Sequence, residues 1–244
     1  MSNDITRVLA ILKEMSEHDN WQIRQASAHF LRCFQGVHKF LFSQEQAESS
    51  LSIAISLLSD DRREGKDSPH FTSIALNSQL NTHNHCVLVT VSNAATSALT
   101  GILATMPQSA LEDLVAKYIR IANKSIKKKK KKIADADVSK EEAEEKAAKE
   151  KQRAKRQQRS VFVLCAVVMG RPYDTPPYIP EALAALSKHS FEQRASMGVR
   201  DEVKRVCSEF KRTHTDNWEA HKKQFTQEQL EALEDVVSTP HYYA

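Results

Sequence analysis

The sequence is poor in residues that break helices or cross-link chains. Its 244 residues include only 5 glycines, 7 prolines and 4 cysteines. Low glycine and proline contents favour helix, because these two residues have the lowest helix propensities. The cysteines form no Cys-x-x-Cys pair, so we expect neither a zinc site nor a disulfide framework, and a reducing compartment fits better. They are Cys33, Cys86, Cys165 and Cys207.

Long apolar runs and enzyme motifs are also missing. The longest apolar run, Val161–Met169, is too short to span a bilayer, and the amphipathic N-terminus lacks the features of a secretory leader. No glycine-rich phosphate loop, Gly-x-Ser-x-Gly or His-Glu-x-x-His motif occurs. His214, Asp216 and His221 lie close in sequence without an evident nucleophile, and we interpret them as a structural network around Trp218. We expect no membrane segment, no enzyme, no cofactor and no metal.

What the sequence does contain is a succession of amphipathic helical patterns. Apolar residues recur at helical spacing in four segments before residue 110. The segments are 5–18, 21–34, 44–61 and 91–106. The inward-facing positions that they predict are, in order, Ile5, Val8, Leu9, Ile11 and Leu12; Ile23, Ala26, Ser27, Phe30 and Leu31; Leu51, Ile55 and Leu58; and Val91, Ala94, Ala95, Ala98, Leu99 and Ile102. Those containing Ile23 and Val91 share a template, with alanine three positions after the β-branched residue and leucine eight positions after it. The sequence predicts an all-α fold of HEAT-like antiparallel helix pairs, an armadillo-like α-solenoid.

One segment disturbs the spacing of these repeats. Ile23 and Val91 are 91 − 23 = 68 residues apart, whereas HEAT repeats run to roughly 40–47 residues. Residues 65–90 have no helical period, and removing these 26 residues leaves 68 − 26 = 42. Two explanations stay open. The segment is a translated retained intron, since splice-site sequences can encode Gly65-Lys66 and Thr90-Val91, or it is a natural loop.

A second interruption is the Lys/Glu-rich segment 126–159. Six consecutive lysines follow Ile126, and residues 141–159 are almost without apolar side chains. The composition predicts a solvated helix or a disordered loop outside the core. The lysine run is interpreted as a solvated loop, or as a nuclear-import signal or an electrostatic contact to nucleic acid. No aromatic residues interleave, so nucleic acid is not expected as a partner. The run comprises Lys127, Lys128, Lys129, Lys130, Lys131 and Lys132.

Helical patterns resume after this segment. Residues 160–172 are apolar nearly all round and predict a central helix. A helix from about Pro180 follows, and then one with five apolar residues on one face. These are Val199, Val203, Val206, Cys207 and Phe210. Thr226 and Gln229 form a capping box that predicts a last helix ending near Val237, before Pro240.

The chain resembles the proteasome activator complex subunit 4 family, the large HEAT-repeat proteasome activators. The resemblance rests on "GRPYDTPPYIPEALAALSKH", "VKRVCSEFKRTHTDNWEAHKKQFTQEQLEALEDVV" and the terminal "YYA". Upstream, "NWQIRQASAHFL" and "VSNAATSALTGIL" are similar to the same family more loosely. Family proteins are many times longer, so we expect this chain to hold the last few repeats, as a fragment or an incomplete gene model.

The resemblance implies that Tyr242, Tyr243 and Ala244 dock on the proteasome. In this family a C-terminal hydrophobic–Tyr–X tail enters a pocket between α subunits of the 20S core particle and favours gate opening, without ATP or ubiquitin. The residues suit this role, because Pro240 lowers the entropy lost on docking and the tyrosine rings offer apolar area with polar handles. The resemblance also implies a location in nucleus and cytoplasm.

A second family property is not matched. The family's acetyl-lysine recognition, which would make acetylated histones partners, uses an Asn-Phe pair. The corresponding positions here are near Thr105, Met106 and Pro107, so the amide that would bind the acetyl group is absent. An alternative to the activator is a HEAT-repeat scaffold or adaptor of import-receptor type, which has no need for a particular C-terminus.

These observations predict three parts. HEAT-like repeats occupy residues 1–125 and include the inserted segment 65–90. A Lys/Glu-rich low-complexity loop covers 126–159. A proteasome activator C-terminal domain covers 160–244, with a docking tail at 238–244.

Overall fold

The computed structural model describes residues 2–58, 91–124, 140–191 and 197–238. All regular secondary structure in these ranges is helical, which confirms the predicted all-α class. The helices are α1 (Ser2–Ser16), α2 (Trp21–His38), α3 (Gln44–Leu57), α4 (Val91–Leu103), α5 (Gln108–Ala122), α6 (Lys140–Met169), α7 (Tyr178–Ser190), α8 (Met197–Thr213), α9 (Trp218–Lys222) and α10 (Gln227–Val237). Short 3-10 helices cover Lys39–Leu41 and Thr215–Asn217. None of the described helices is both long and apolar enough to cross a membrane.

The chain divides into two compact units, Met1–Ile102 and Leu103–Ala244. In the first unit α1 packs against α2 and α3. Ile5, Leu9 and Leu12 recur at helical spacing and are buried there. Ile11, which the sequence placed on the same stripe, is 49% exposed. One turn of helix advances 3.6 residues, so Ile11 lies to the side of the buried stripe.

The buried face of α2 differs from the predicted one. The helix buries Ser27, Ala28, Leu31 and Gln35, whereas Phe30 is 52% exposed. The prediction is therefore confirmed at Ser27 and Leu31 and wrong at Ala26 and Phe30, because the neighbours α1 and α3 meet the face centred on Ala28 and Leu31.

In α4 the same template holds. Every position of the predicted face is buried, because the pattern of small and branched residues follows the helical period. The positions are Val91, Ala94, Ala95, Ala98, Leu99 and Ile102. Ser92 Oγ donates to the Leu58 carbonyl at 3.4 Å, which joins the start of α4 to the end of α3.

The second unit is built around the C-terminal half of α6. Every residue from Ser160 to Val168 is buried, and α6 packs against α5, α7 and α8. A helix that is apolar on all sides must be covered on all sides, so the predicted central helix is confirmed.

The segment 141–159 is helical and continuous with this central helix. Its composition left two alternatives, a solvated helix and a disordered loop. The described side chains of this segment are exposed up to residue 154, so the solvated helix is correct over that range. Gln157, however, is buried and donates to a backbone carbonyl of α5. The last turn before Ser160 thus belongs to the core, contrary to the prediction.

Two further helices close the second unit. On α8 the predicted face, from Val199 to Phe210, is buried at each of its five positions. The last helix, α10, packs against α7 and α8. The inserted segment 65–90 and the run Lys127–Lys132 lie outside the described residues. The predicted domain boundaries stay predictions, although α6 runs through residue 159 without a break.

Candidate docking site in the C-terminal unit

The helix that precedes the predicted docking tail is fixed at both of its ends. At the start of α10, Thr226 Oγ1 accepts from Gln229 N at 3.3 Å, and Gln229 Oε1 accepts from Thr226 N at 2.9 Å. This is the capping box that the sequence predicted. At the other end, Ser238 N donates to the Glu234 carbonyl at 2.7 Å. The backbone is therefore positioned as far as Ser238.

Burial of one face holds α10 in place. Leu230, Leu233 and Val236 are buried at helical spacing against α7 and α8. Burial of each such side chain contributes roughly 1.5–3 kcal/mol, so the three together stabilise the packing of α10 by several kcal/mol. Tyr242, Tyr243 and Ala244 follow this anchor in the sequence but lie outside the described residues.

A cluster of rings lies next to the start of α10. His214 packs on Phe210 with ring centroids 4.0 Å apart and meets His221 edge-on at 4.6 Å. Phe225, directly before Thr226, contacts Phe210 at 6.2 Å and Trp218 at 6.0 Å. The structure thus brings together His214, His221 and Trp218, as the sequence predicted, and places Asp216 in the 3-10 helix beside them.

The two histidines of this cluster are held in different ways. His214 Nδ1 lies 2.8 Å from the Phe210 carbonyl, which can only accept, so this nitrogen carries the proton. His214 Nε2 is buried and has no hydrogen-bond partner. His221 Nδ1 lies 2.8 Å from Thr175 Oγ1. Burial lowers the pKa of His221, the neighbouring His214 lowers it further, and Asp174 opposes the shift.

A cation–π contact covers the outer side of the ring cluster. Lys211 Nζ lies 3.4 Å from the centroid of the Trp218 ring. Burial lowers the pKa of Lys211, and Glu234 on α10 opposes that shift. Such a contact contributes about 0.5–2 kcal/mol, depending on how far the cation is desolvated.

The buried cysteines are structural. Cys165 on α6 and Cys207 on α8 are fully buried. Burial raises the pKa of Cys165 well above its usual value and that of Cys207 to about 12. Both therefore stay thiols, which are poor nucleophiles and poor metal ligands. Across the described ranges, no group of three or more His, Cys, Asp and Glu side chains could hold a metal ion.

The positions aligned with the acetyl-lysine reader pair lie between α4 and α5. Thr105 and Met106 form a turn in which Met106 N donates to the Leu103 carbonyl at 3.2 Å. Pro107 is the residue that caps α5, without a side-chain hydrogen bond. None of the three carries a side-chain amide.

Sequence reasoning missed a buried polar junction at the end of α5. Gln157 Nε2 of α6 and His189 Nε2 of α7 both lie within hydrogen-bond distance of the Ala122 carbonyl, at 3.2 and 3.1 Å. A carbonyl only accepts, so both side chains donate. These partners are 35 and 67 residues away along the chain, and no periodic signal could have paired them.

Comparison with known proteins supports the resemblance noted in the sequence. Residues 154–244 match the family model described as "Proteasome activator complex subunit 4-like, C-terminal". Proteasome activator complex subunit 4A of Danio rerio is 26% identical over 253 aligned residues, covering 100% of this chain. Proteasome activator complex subunit 4 of Homo sapiens is 26% identical over 99% of this chain.

Similarity is higher in part of the chain. Proteasome activator complex subunit 4 of Xenopus laevis is 42% identical over 84 residues, which is 34% of this chain and 4% of that protein. The chain spans only 11% of the length of the Danio rerio and Homo sapiens relatives. The chain is thus similar to proteasome activator complex subunit 4 along its whole length, and residues 154–244 match that family's C-terminal model.

Proposed function

We propose that this chain is part of a proteasome activator, a regulator of the proteasome rather than an enzyme. The observation that carries the proposal is the match of residues 154–244 to the subunit 4 C-terminal family. Similarity to named proteasome activators over the rest of the chain supports it. The partner would be the α-subunit ring of the 20S core particle, and the effect would be gate opening without ATP or ubiquitin.

The proposed contact is made by Tyr242, Tyr243 and Ala244. Each tyrosine offers a large ring with a hydroxyl that can hydrogen-bond at the mouth of a pocket. The α-carboxylate of Ala244 would pair with a pocket lysine in a charge-assisted contact. Anchoring of α10 as far as Ser238 supports this role, because a fixed attachment point lowers the entropy lost when the residues that follow it bind a partner.

A single added residue distinguishes the activator from a HEAT-repeat scaffold. Adding one alanine after Ala244 misplaces the carboxylate and leaves the pocket lysine unpaired, which costs on the order of 2–5 kcal/mol. Binding of the chain to the 20S core particle should fall by at least tenfold. The matched control adds one alanine before Met1. A scaffold would bind its partner equally well with either extension. Equal binding of both variants to the 20S core particle would refute the proposed docking role of the tail.

We further propose that the protein occupies both nucleus and cytoplasm, with Lys127–Lys132 as the import signal. The support is the run of six lysines itself, because such clusters are typical import signals. Replacing all six by glutamine should move a fluorescently tagged protein into the cytoplasm. The control is Lys13→Gln, which removes one exposed lysine of α1 and should leave the nuclear fraction unchanged. An unaltered distribution of the six-lysine variant would favour a solvated loop.

A further inference from the structure

We propose that the C-terminal unit carries a cationic surface, at the end of α5, that binds the phosphate backbone of duplex nucleic acid. Three separate helices contribute to it. Its residues are Lys117, Arg120 and Lys124 on and just after α5, Arg153 and Arg156 on α6, and Lys188 on α7. All six are exposed.

The polar junction at Ala122 brings these helices together. Gln157 of α6 and His189 of α7 converge on the Ala122 carbonyl. Lys188 Nζ donates to Asn123 Oδ1 at 3.2 Å, one residue further along. The surface is therefore built on buried hydrogen bonds, and its cations are presented by a fixed scaffold.

The contributing stretches of α5 and α6 are free of acidic residues in their own sequence. Residues 117–124 and 151–159 contain no aspartate and no glutamate. The arginine charges of α6 act on Tyr118, one helical turn before Ala122. Burial raises the pKa of Tyr118, and the positive charges of Arg159 and Arg156 oppose that shift. The end of α5 thus lies in a positive field.

Interaction with helix dipoles explains the presence of only some of these cations. Cations are favourable in the last turn of a helix, which explains Arg120 on α5 and Lys188 on α7. Arg153 and Arg156 lie well inside α6, which runs from Lys140 to Met169. They stabilise no helix end, and they add positive charge to the exposed surface of α6 next to the turn that holds Gln157.

The surroundings favour a phosphate backbone over a protein partner. Among residues 117–124 and 149–159 no large apolar side chain is exposed, whereas protein interfaces depend on apolar and aromatic anchors. Phosphate contacts need only cations and polar groups. Phe191, three residues after Lys188, is an exposed ring close to these cations in sequence. One ring gives a single strand little stacking, so a duplex is the better match. The sequence raised a nucleic-acid contact only for Lys127–Lys132. It could not assemble this surface, because the three stretches are far apart along the chain.

The test measures binding of the whole chain to a short fluorescent DNA duplex by anisotropy between roughly 50 and 200 mM salt. The variant is Arg120→Gln, Arg153→Gln and Arg156→Gln together. Removing three phosphate contacts should reduce the slope of log affinity against log salt by about 3 and weaken binding at low salt. The matched control is Arg7→Gln, Lys13→Gln and Arg32→Gln, three exposed cations of the first unit. It should leave the slope unchanged.

Three results would overturn the proposal. Equal losses in both variants would mean that only net charge matters. Loss of binding in a Lys127–Lys132 glutamine variant, with the arginine variant unaffected, would place the contact in the lysine run. Binding to a poly-glutamate peptide but not to the duplex would identify an acidic protein as the partner. Circular dichroism of each variant establishes that the helices are intact.

Discussion

At the scale of single residues, His221 is the group whose titration should be visible in stability. Its pKa in the folded chain is lowered, first by burial and then by His214, so the unfolded chain binds a proton more readily. The stabilisation is complete above the unfolded pKa of about 6.5 and is lost as the pH falls through the folded pKa.

The prediction is that the free energy of unfolding decreases between about pH 7 and pH 5.5. In His221→Gln this decrease should be smaller, because the titrating imidazole is gone. The measurement is urea unfolding followed by Trp218 fluorescence in a Trp21→Phe background, since the chain has only 2 tryptophans. His29→Gln, which alters an exposed histidine, is the control. An identical pH dependence in all three proteins would contradict the account.

The burial of individual side chains could be predicted from the sequence where the helical spacing of apolar residues alone decides it. Val199 and Phe210 on α8 were placed correctly because one apolar stripe faces one set of neighbours. Phe30 and Ile11 were placed wrongly, since either of two adjacent faces could have been buried and the packed neighbours decide which. The junction of Gln157 with Ala122 could not be predicted, because it depends on tertiary structure.

At the scale of secondary-structure elements, the start of α10 was predicted most closely. Thr226 and Gln229 form a local motif whose hydrogen bonds span three residues, so it needs no tertiary information. The start of α6 was harder to predict, because residues 140–156 lack an apolar stripe and only continuity with the central helix shows that they are helical.

The capping box makes a measurable contribution to α10. Thr226→Ala removes the side-chain acceptor for Gln229 N and should destabilise the C-terminal unit by about 1 kcal/mol. Thr226→Ser keeps the hydroxyl and should cost much less. The midpoint of urea unfolding, again followed by Trp218, measures both. If alanine and serine have the same effect, the cap does not hold the helix.

At the scale of the whole molecule, the all-α class followed from composition and helical period, whereas the division into units did not. The sequence predicts a boundary near residue 125, where composition changes, and this stays a prediction. By packing, the chain forms the compact units Met1–Ile102 and Leu103–Ala244. Helix α5 packs against α6 and α7, and this packing assigns it to the second unit. The unit that a helix joins depends on its packing partners, which composition alone does not specify.

The central claim is that Tyr242, Tyr243 and Ala244 act on the gate of the 20S core particle. The most direct measurement is hydrolysis of a small fluorogenic peptide by the core particle with increasing amounts of the chain. The intact chain should stimulate hydrolysis. Tyr243→Ala removes a docking ring worth roughly 1.5–3 kcal/mol and should shift the half-maximal concentration about ten- to hundredfold upward. His241→Ala, one residue before the docking residues, should behave like the intact chain. Equal stimulation by all three proteins, or none by the intact chain, would contradict the account.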